Sequence, residues 1–227
     1  MKKKELVLNV ISALKKEYPT VKCALVYEKP HELLIATRLS AQCTDVRVNK
    51  VTPALFERFP EIKDFAEAKE EDVAEYIRSC GLFQTKSRDI VKMCKQLHED
   101  YGNVVPDTIE ELTKLAGVGR KTANLVAGEL YGKTAFVCDT HVIRLSNRLG
   151  MVEGKDAVKV ENALRKIVPP EEGLGLCHRL VWHGRLVCNA RKPDCENCCL
   201  NDLCMYAKEN AKAQTKAAKK PEKQKLD

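Results

Sequence analysis

The sequence predicts an all-α fold. Three observations carry this expectation: apolar residues recur at helical spacing along most of the chain, glycines stand just beyond the ends of those runs, and strand signals are sparse. Apolar positions three and four apart mark helices over 5–17, 31–41, 45–58, 70–80, 84–99, 108–115, 120–131, 139–148, 156–168 and 172–187. Gly81, Gly102, Gly132 and Gly150 come just after such runs, where a left-handed residue closes a helix. Asp107, with Glu110 three residues on, resembles a capping box for the helix at 108. Only TAFVC, 134–138, has strand character, and it is short. No internal repeat is visible.

Composition bounds the class. A chain of 227 residues is long enough for one large core or two small ones. Hydrophobic content of 44% and charged content of 31% are those of a globular protein rather than a disordered one. No apolar run approaches the ~20 residues of a membrane helix. The start, MKKKELVLNVISALKK, has Asn9 and Ser12 within its apolar stretch and no small-residue cleavage site after it, so it reads as an amphipathic first helix and not as a secretion signal. Of eleven cysteines, six are scattered singly and read as small core hydrophobes of a reducing compartment: the cytoplasm, close to the nucleoid, or a nucleus where the cell has one. The net charge is +7, but residues 205–227 carry +4 of it and residues 1–5 carry +2. The body is almost neutral, so a nucleic-acid partner would have to be held by a local patch. The lysine-rich segment 207–227 is expected to be a solvated, mobile tail.

One stretch breaks a local rule. LAGVGRKTA, 115–123, places an arginine and a lysine where a helix begins, although helix starts already carry partial positive charge. Gly117, Val118 and Gly119 form a tight turn that lets another backbone approach, and the next helix points free N–H groups outward. Together these make an anion site suited to a phosphate, to which Arg120 adds charge. Lys121 has two readings: a further phosphate contact, or an amine that the helix dipole favours in its neutral, nucleophilic form.

Downstream, CDTHVIRLSNRLG sets Asp139 just ahead of a helical run, with His141 beside it. An aspartate there is an N-cap, kept ionised by backbone N–H groups. The same charge could stabilise positive charge developing at an anomeric carbon, as in glycoside cleavage.

Five cysteines crowd into 188–204. Cys188, Cys195, Cys198 and Cys204 have the spacing C-x6-C-x2-C-x5-C, which implies a metal site. Zinc and an iron–sulfur cluster both accept four cysteines; the unequal loops favour iron–sulfur modestly. Cys199 is a spare that could exchange with Cys198. The six-residue loop holds Arg191 and Lys192, so the metal would brace a basic loop against phosphates and would be structural.

Taken together, LSAQCTD (39–45), GLFQTKS (81–87), LAGVGRKTA, CDTHVIRLSNRLG and HGRLVCNARKPDC (183–195) with its further cysteines resemble the endonuclease III family of the helix–hairpin–helix superfamily, from about residue 5 to 206. The resemblance implies two helical domains flanking a DNA-binding cleft. One is a six-helix bundle over 22–134 that contains the hairpin. The other combines 1–21 with 135–206 and carries a [4Fe-4S] cluster on Cys188, Cys195, Cys198 and Cys204. It implies a monomer acting on double-stranded DNA with a damaged pyrimidine or abasic site, with the damaged base flipped out of the duplex. Lys121 would be the nucleophile that displaces the base, forms a Schiff base and nicks the strand by β-elimination, with Asp139 as its electrostatic and proton-transfer partner. Gln42 would fill the gap left by the flipped nucleotide, and Leu82 would wedge into the opposite strand. His141 and the hairpin would contact DNA. Rival readings are a monofunctional adenine- or thymine-mismatch glycosylase, and a non-catalytic iron–sulfur DNA-binding protein; Lys121 together with Asp139 argues against both. Two departures stand out: Ala116 replaces the proline of the usual L-P-G, and Arg38 takes a position expected to be apolar.

Overall fold

The computed structural model describes residues 2–210. Every regular element among them is helical. TAFVC forms no strand there; Ala135, Phe136, Val137 and Cys138 are buried, so its apolar composition serves core packing by an irregular segment. The chain divides into two compact units, Lys22–Ala135 and Met1–Val21 with the chain from Phe136 onward.

In the second of these units, α1 (Lys3–Glu17), α9 (Thr140–Arg148), α10 (Ala157–Ile167) and α11 (Gly173–Leu186) pack together. Val7, Val10, Ile11 and Leu14 form the buried stripe of α1, at the spacing one helix face requires. The side chain of Asp156 caps α10 by accepting from the Lys159 N–H at 2.8 Å. Lys15 pairs with Glu172, and Arg179 Nε donates to the Tyr18 carbonyl at 3.0 Å, so both α1 and its exit are tied to the α11 region. Residues 205–210 are helical, with Ala207 buried and the Arg148 guanidinium 4.5 Å over the Tyr206 ring. Ala207, the first residue of the expected tail, is thus packed rather than solvated. The rest of that segment, 211–227, lies outside the described residues.

The Lys22–Ala135 unit holds α2 (Pro30–Leu39), α3 (Asp45–Arg58), α4 (Ile62–Glu67), α5 (Glu70–Ile77), α6 (Phe83–Glu99), α7 (Ile109–Leu112) and α8 (Arg120–Tyr131). α6 packs against α2, α4 and α5, and α2 also touches α3 and α8. Phe65 lies fully buried, ringed by His31, Phe56 and Phe59 at 5.1–6.5 Å between ring centres. Burying each such side chain contributes about 1.5–3 kcal/mol.

Three local expectations are corrected. α4 has only six residues, too few for periodicity to reveal, and starts where Asp64 Oδ2 accepts from the Glu61 N–H at 2.8 Å. The helix expected over 70–80 ends at Ile77 and tightens into a 3-10 turn, Arg78–Cys80, ahead of Gly81. At α7 the cap is Thr108, whose Oγ1 accepts from Glu111 N at 3.2 Å, while Asp107 instead pairs with Lys133 at 2.8 Å. None of the described helices is long and apolar enough to cross a membrane.

Candidate nucleic-acid interface and cysteine pocket

The hairpin joins α7 to α8 through Thr113–Gly119. Its two glycines differ in what they are for. Gly117 has φ +72°, and a Cβ there would lie 2.7 Å from Arg38 Nε and 2.9 Å from Asp89 Cβ, so the fold itself demands glycine. Gly119 is extended at φ −90°, and an added Cβ would meet nothing within 4 Å. Open space before a helix start is what an approaching phosphate needs. No side chain caps α8 at Gly119, so its first N–H groups face outward without an intrahelical acceptor. Arg120 and Lys121 are both exposed in that first turn. Val118 differs from its neighbours: it is 6% exposed and its N–H donates to the Leu115 carbonyl at 3.2 Å, so it anchors the turn from inside.

Two side-chain devices hold the hairpin from beneath, and both answer to departures in the sequence. Gln96 of α6 accepts from Ala116 N–H at 2.8 Å and donates to the Lys114 carbonyl at 3.3 Å. A proline at 116 has no N–H to offer; alanine supplies one, and the Gln96 amide ties the loop instead. Arg38 meets Asp89 through Nε at 3.0 Å and Nη2 at 2.6 Å, at 13% and 18% side-chain exposure, directly under Gly117. The charge at the expected apolar position is thus paired.

Gln42 and Leu82 sit in the same unit, on the turns after α2 and the Arg78–Cys80 3-10 turn. Both are non-glycine residues with left-handed backbones, φ +54° and +47°. Such a conformation costs an L-residue about 1–2 kcal/mol. Both are exposed, Leu82 at 59%. Burial does not account for this strain, since both side chains face solvent.

In the other unit, Asp139 caps α9: its Oδ1 accepts from the N–H groups of His141 at 2.8 Å and Val142 at 2.9 Å. His141 is half-buried, and burial lowers its pKa below the usual histidine value. Arg144 Nη2 stands 3.1 Å from His141 Nδ1; a guanidinium only donates, so Nδ1 accepts and Nε2 carries the proton. Gly184 of α11 makes room for this pair, since a Cβ there would lie 2.7 Å from His141 Nδ1.

Cys188, Cys195, Cys198 and Cys204 all line one pocket, to which Cys199 does not contribute; Cys199 is exposed. Arg148 Nη1 donates to Cys188 Sγ at 3.2 Å and to Asn189 O at 2.8 Å, and its Nη2 donates to Ala190 O at 2.8 Å. Arg144 adds a bond to the Cys188 carbonyl at 2.9 Å. His183 lies between Tyr18 Oη, 3.0 Å from Nδ1, and Cys198 Sγ, 3.2 Å from Nε2. Burial pushes the Cys198 thiol up to about 11, so a thiolate there calls for a cationic partner. Arg191 and Lys192 are exposed on the loop that Arg148 fastens. Sequence reasoning missed Arg144 and Arg148, although their i, i+4 spacing behind Asp139 places them on one face of α9.

The Lys22–Ala135 unit thus presents a turn-linked helix pair with an open, cationic helix start, and the other unit holds a four-cysteine pocket. The family model described as HhH-GPD superfamily base excision DNA repair protein matches residues 35–170. Endonuclease III of Synechocystis sp. is 44% identical over 206 residues, covering 90% of this chain and 94% of that protein. Endonuclease III of Escherichia coli K12 is 40% identical over 199 residues, covering 88% and 94%. A solved non-covalent endonuclease III–DNA complex superposes with TM-score 0.87 at 42% identity, over 93% of this chain and all of that one. A thermostable thymine-DNA glycosylase shares the fold, with TM-score 0.80 at 22% identity. The chain belongs to the endonuclease III family of the HhH-GPD superfamily, the base excision repair DNA glycosylases with abasic-site lyase activity.

Proposed function

We propose that the chain binds duplex DNA at oxidised pyrimidines or abasic sites, and that Lys121 is the amine that does the chemistry. The observation that carries this is the α8 start, where an open Gly119, uncapped N–H groups and two exposed cations converge. Phosphate bound there would place deoxyribose within reach of the first-turn lysine. The Lys121 Nζ lone pair forms a bond to C1′ as the bond from C1′ to the base breaks, and the base departs with a proton. Ring opening gives an imine, loss of a C2′ proton expels the 3′ phosphate, and water releases the lysine. Asp139, whose Oδ1 accepts from two backbone N–H groups, is assigned to stabilise the cationic character at C1′. Gln42 and Leu82 are assigned to the space left in the duplex. His141, Arg191 and Lys192 are assigned to DNA contacts.

The four pocket cysteines fit a [4Fe-4S] cluster. Among the described residues, no three His, Cys, Asp or Glu side chains are grouped to hold a single metal ion. The unequal C-x6-C-x2-C-x5-C loops favour an iron–sulfur core over one tetrahedral zinc. The cluster would tie Cys188 to Cys204 and so hold the Arg191–Lys192 loop.

Replacing Lys121 by glutamine tests the assignment. The variant is expected to bind a duplex with an abasic site and leave it uncut; retained nicking would remove Lys121 from the chemistry.

A further inference from the structure

Lys86 is the most anomalous side chain of the Lys22–Ala135 unit. It lies in α6 and is fully buried, at 0% exposure. Burying an ammonium is costly unless its protons are satisfied. Its Nζ donates to two backbone carbonyls, Leu39 O at 2.8 Å and Cys80 O at 2.6 Å. These are the last residues of α2 and of the Arg78–Cys80 3-10 turn, whose terminal carbonyls carry partial negative charge and lack helical partners.

Each of these carbonyls stands at the root of a strained turn. Three residues after Leu39 comes Gln42; two residues after Cys80 comes Leu82. These two and Asn103 are the non-glycine residues of the described chain with positive φ. One buried cation therefore grips the roots of both strained turns at once. An apolar residue would fill the same volume without the desolvation cost, but it would leave two terminal carbonyls unsatisfied and the turns uncoupled. We infer that Lys86 is a positioning residue that locks the Gln42 and Leu82 turns to each other, so that the two side chains enter the duplex as one rigid pair. The inference rests on the assignment of Gln42 and Leu82 as the inserting residues.

The test uses the full chain and a duplex with 2-aminopurine opposite a tetrahydrofuran abasic analogue, which cannot be cleaved. Insertion unstacks the 2-aminopurine and raises its fluorescence. Lys86→Met is expected to lose most of that rise at saturating protein and to weaken lesion binding about tenfold, while affinity for undamaged duplex stays within about twofold. Its far-ultraviolet circular dichroism should remain that of the parent. Gln42→Ala and Leu82→Ala are measured alongside. If both keep the full rise, the assignment of the inserting pair fails and the inference goes with it. If both lose it and a folded Lys86→Met keeps it, the assignment stands and the inference is overturned. Adding Lys86→Met to the Gln42→Ala/Leu82→Ala double variant should cost little more; full additivity would contradict the coupling. Should Lys86→Met fail to fold, Lys86→Gln, which keeps a donor on a shorter arm, carries the same comparison with the same opposing outcomes.

Discussion

At the scale of single residues, the hairpin separates what folding needs from what DNA needs. Gly117 faces the Arg38–Asp89 pair with a positive φ, so Gly117→Ala should destabilise the protein by more than about 1 kcal/mol, read as a lowered urea midpoint. Gly119 meets neither constraint. Gly119→Ala should leave stability within about 0.5 kcal/mol of the parent while weakening duplex binding, and unchanged binding would deny that a phosphate uses the space. Gln96→Ala removes the partner of the Ala116 N–H and should cost about 1–2 kcal/mol. Ala116→Pro in that background should recover part of it, because proline has no N–H to satisfy and stiffens the loop. A double variant as unstable as Gln96→Ala alone would show that the amide tie does not stand in for the proline.

At the scale of elements, α9 serves both ends of its unit. Its first turn is capped by Asp139, and its last turn supplies Arg148 to the cysteine loop. Cys195→Ser should lose iron and its visible absorption, whereas Cys199→Ser, outside the pocket, should keep both; the opposite result would mean that the ligand register is shifted. Arg148→Met should loosen the same loop and lower affinity for duplex DNA with a shallower salt dependence, as expected when Arg191 and Lys192 no longer meet phosphates. Histidines give a pH signature. Burial lowers the pKa of His31, and of His141, below the ordinary 6.5. The unfolded chain then takes up protons that the folded one refuses. Their stabilising contribution is complete above about pH 6.5 and is lost as pH falls through the lowered folded values. The melting temperature should therefore drop on going from about pH 7 to about pH 5.5, and less so in His31→Phe; an unchanged pH dependence in that variant would remove His31 as a source of the drop.

At the scale of the whole molecule, the helical class and the major helices were legible because each long helix buries a stripe that recurs at the helical period, as Val7, Val10, Ile11 and Leu14 do in α1. α4 was not legible, because six residues hold too little of a period. Gly132 closes α8 in the left-handed conformation, φ +62° and ψ +20°, as its place after the 120–131 run suggests. The cysteine spacing implies a metal site, and the four side chains line one pocket. The supports beneath the site were hidden. Arg38 was visible only as a misfit, since its partner Asp89 lies 51 positions away, and nothing local links Gln96 to Ala116. A buried lysine cannot be told from an exposed one by composition, so Lys86 escaped notice as well. Periodicity records what each element buries; it does not record which distant backbone group a polar side chain reaches. Covalent bonding of the Lys121 amine to the deoxyribose of damaged DNA is the central claim, and borohydride trapping tests it most directly. Protein mixed with a duplex bearing thymine glycol or an abasic site is reduced, digested and analysed by mass spectrometry. The predicted result is a covalent adduct on the peptide containing Lys121, absent from Lys121→Gln. An adduct on another lysine, or tight lesion binding with no adduct, would contradict the claim.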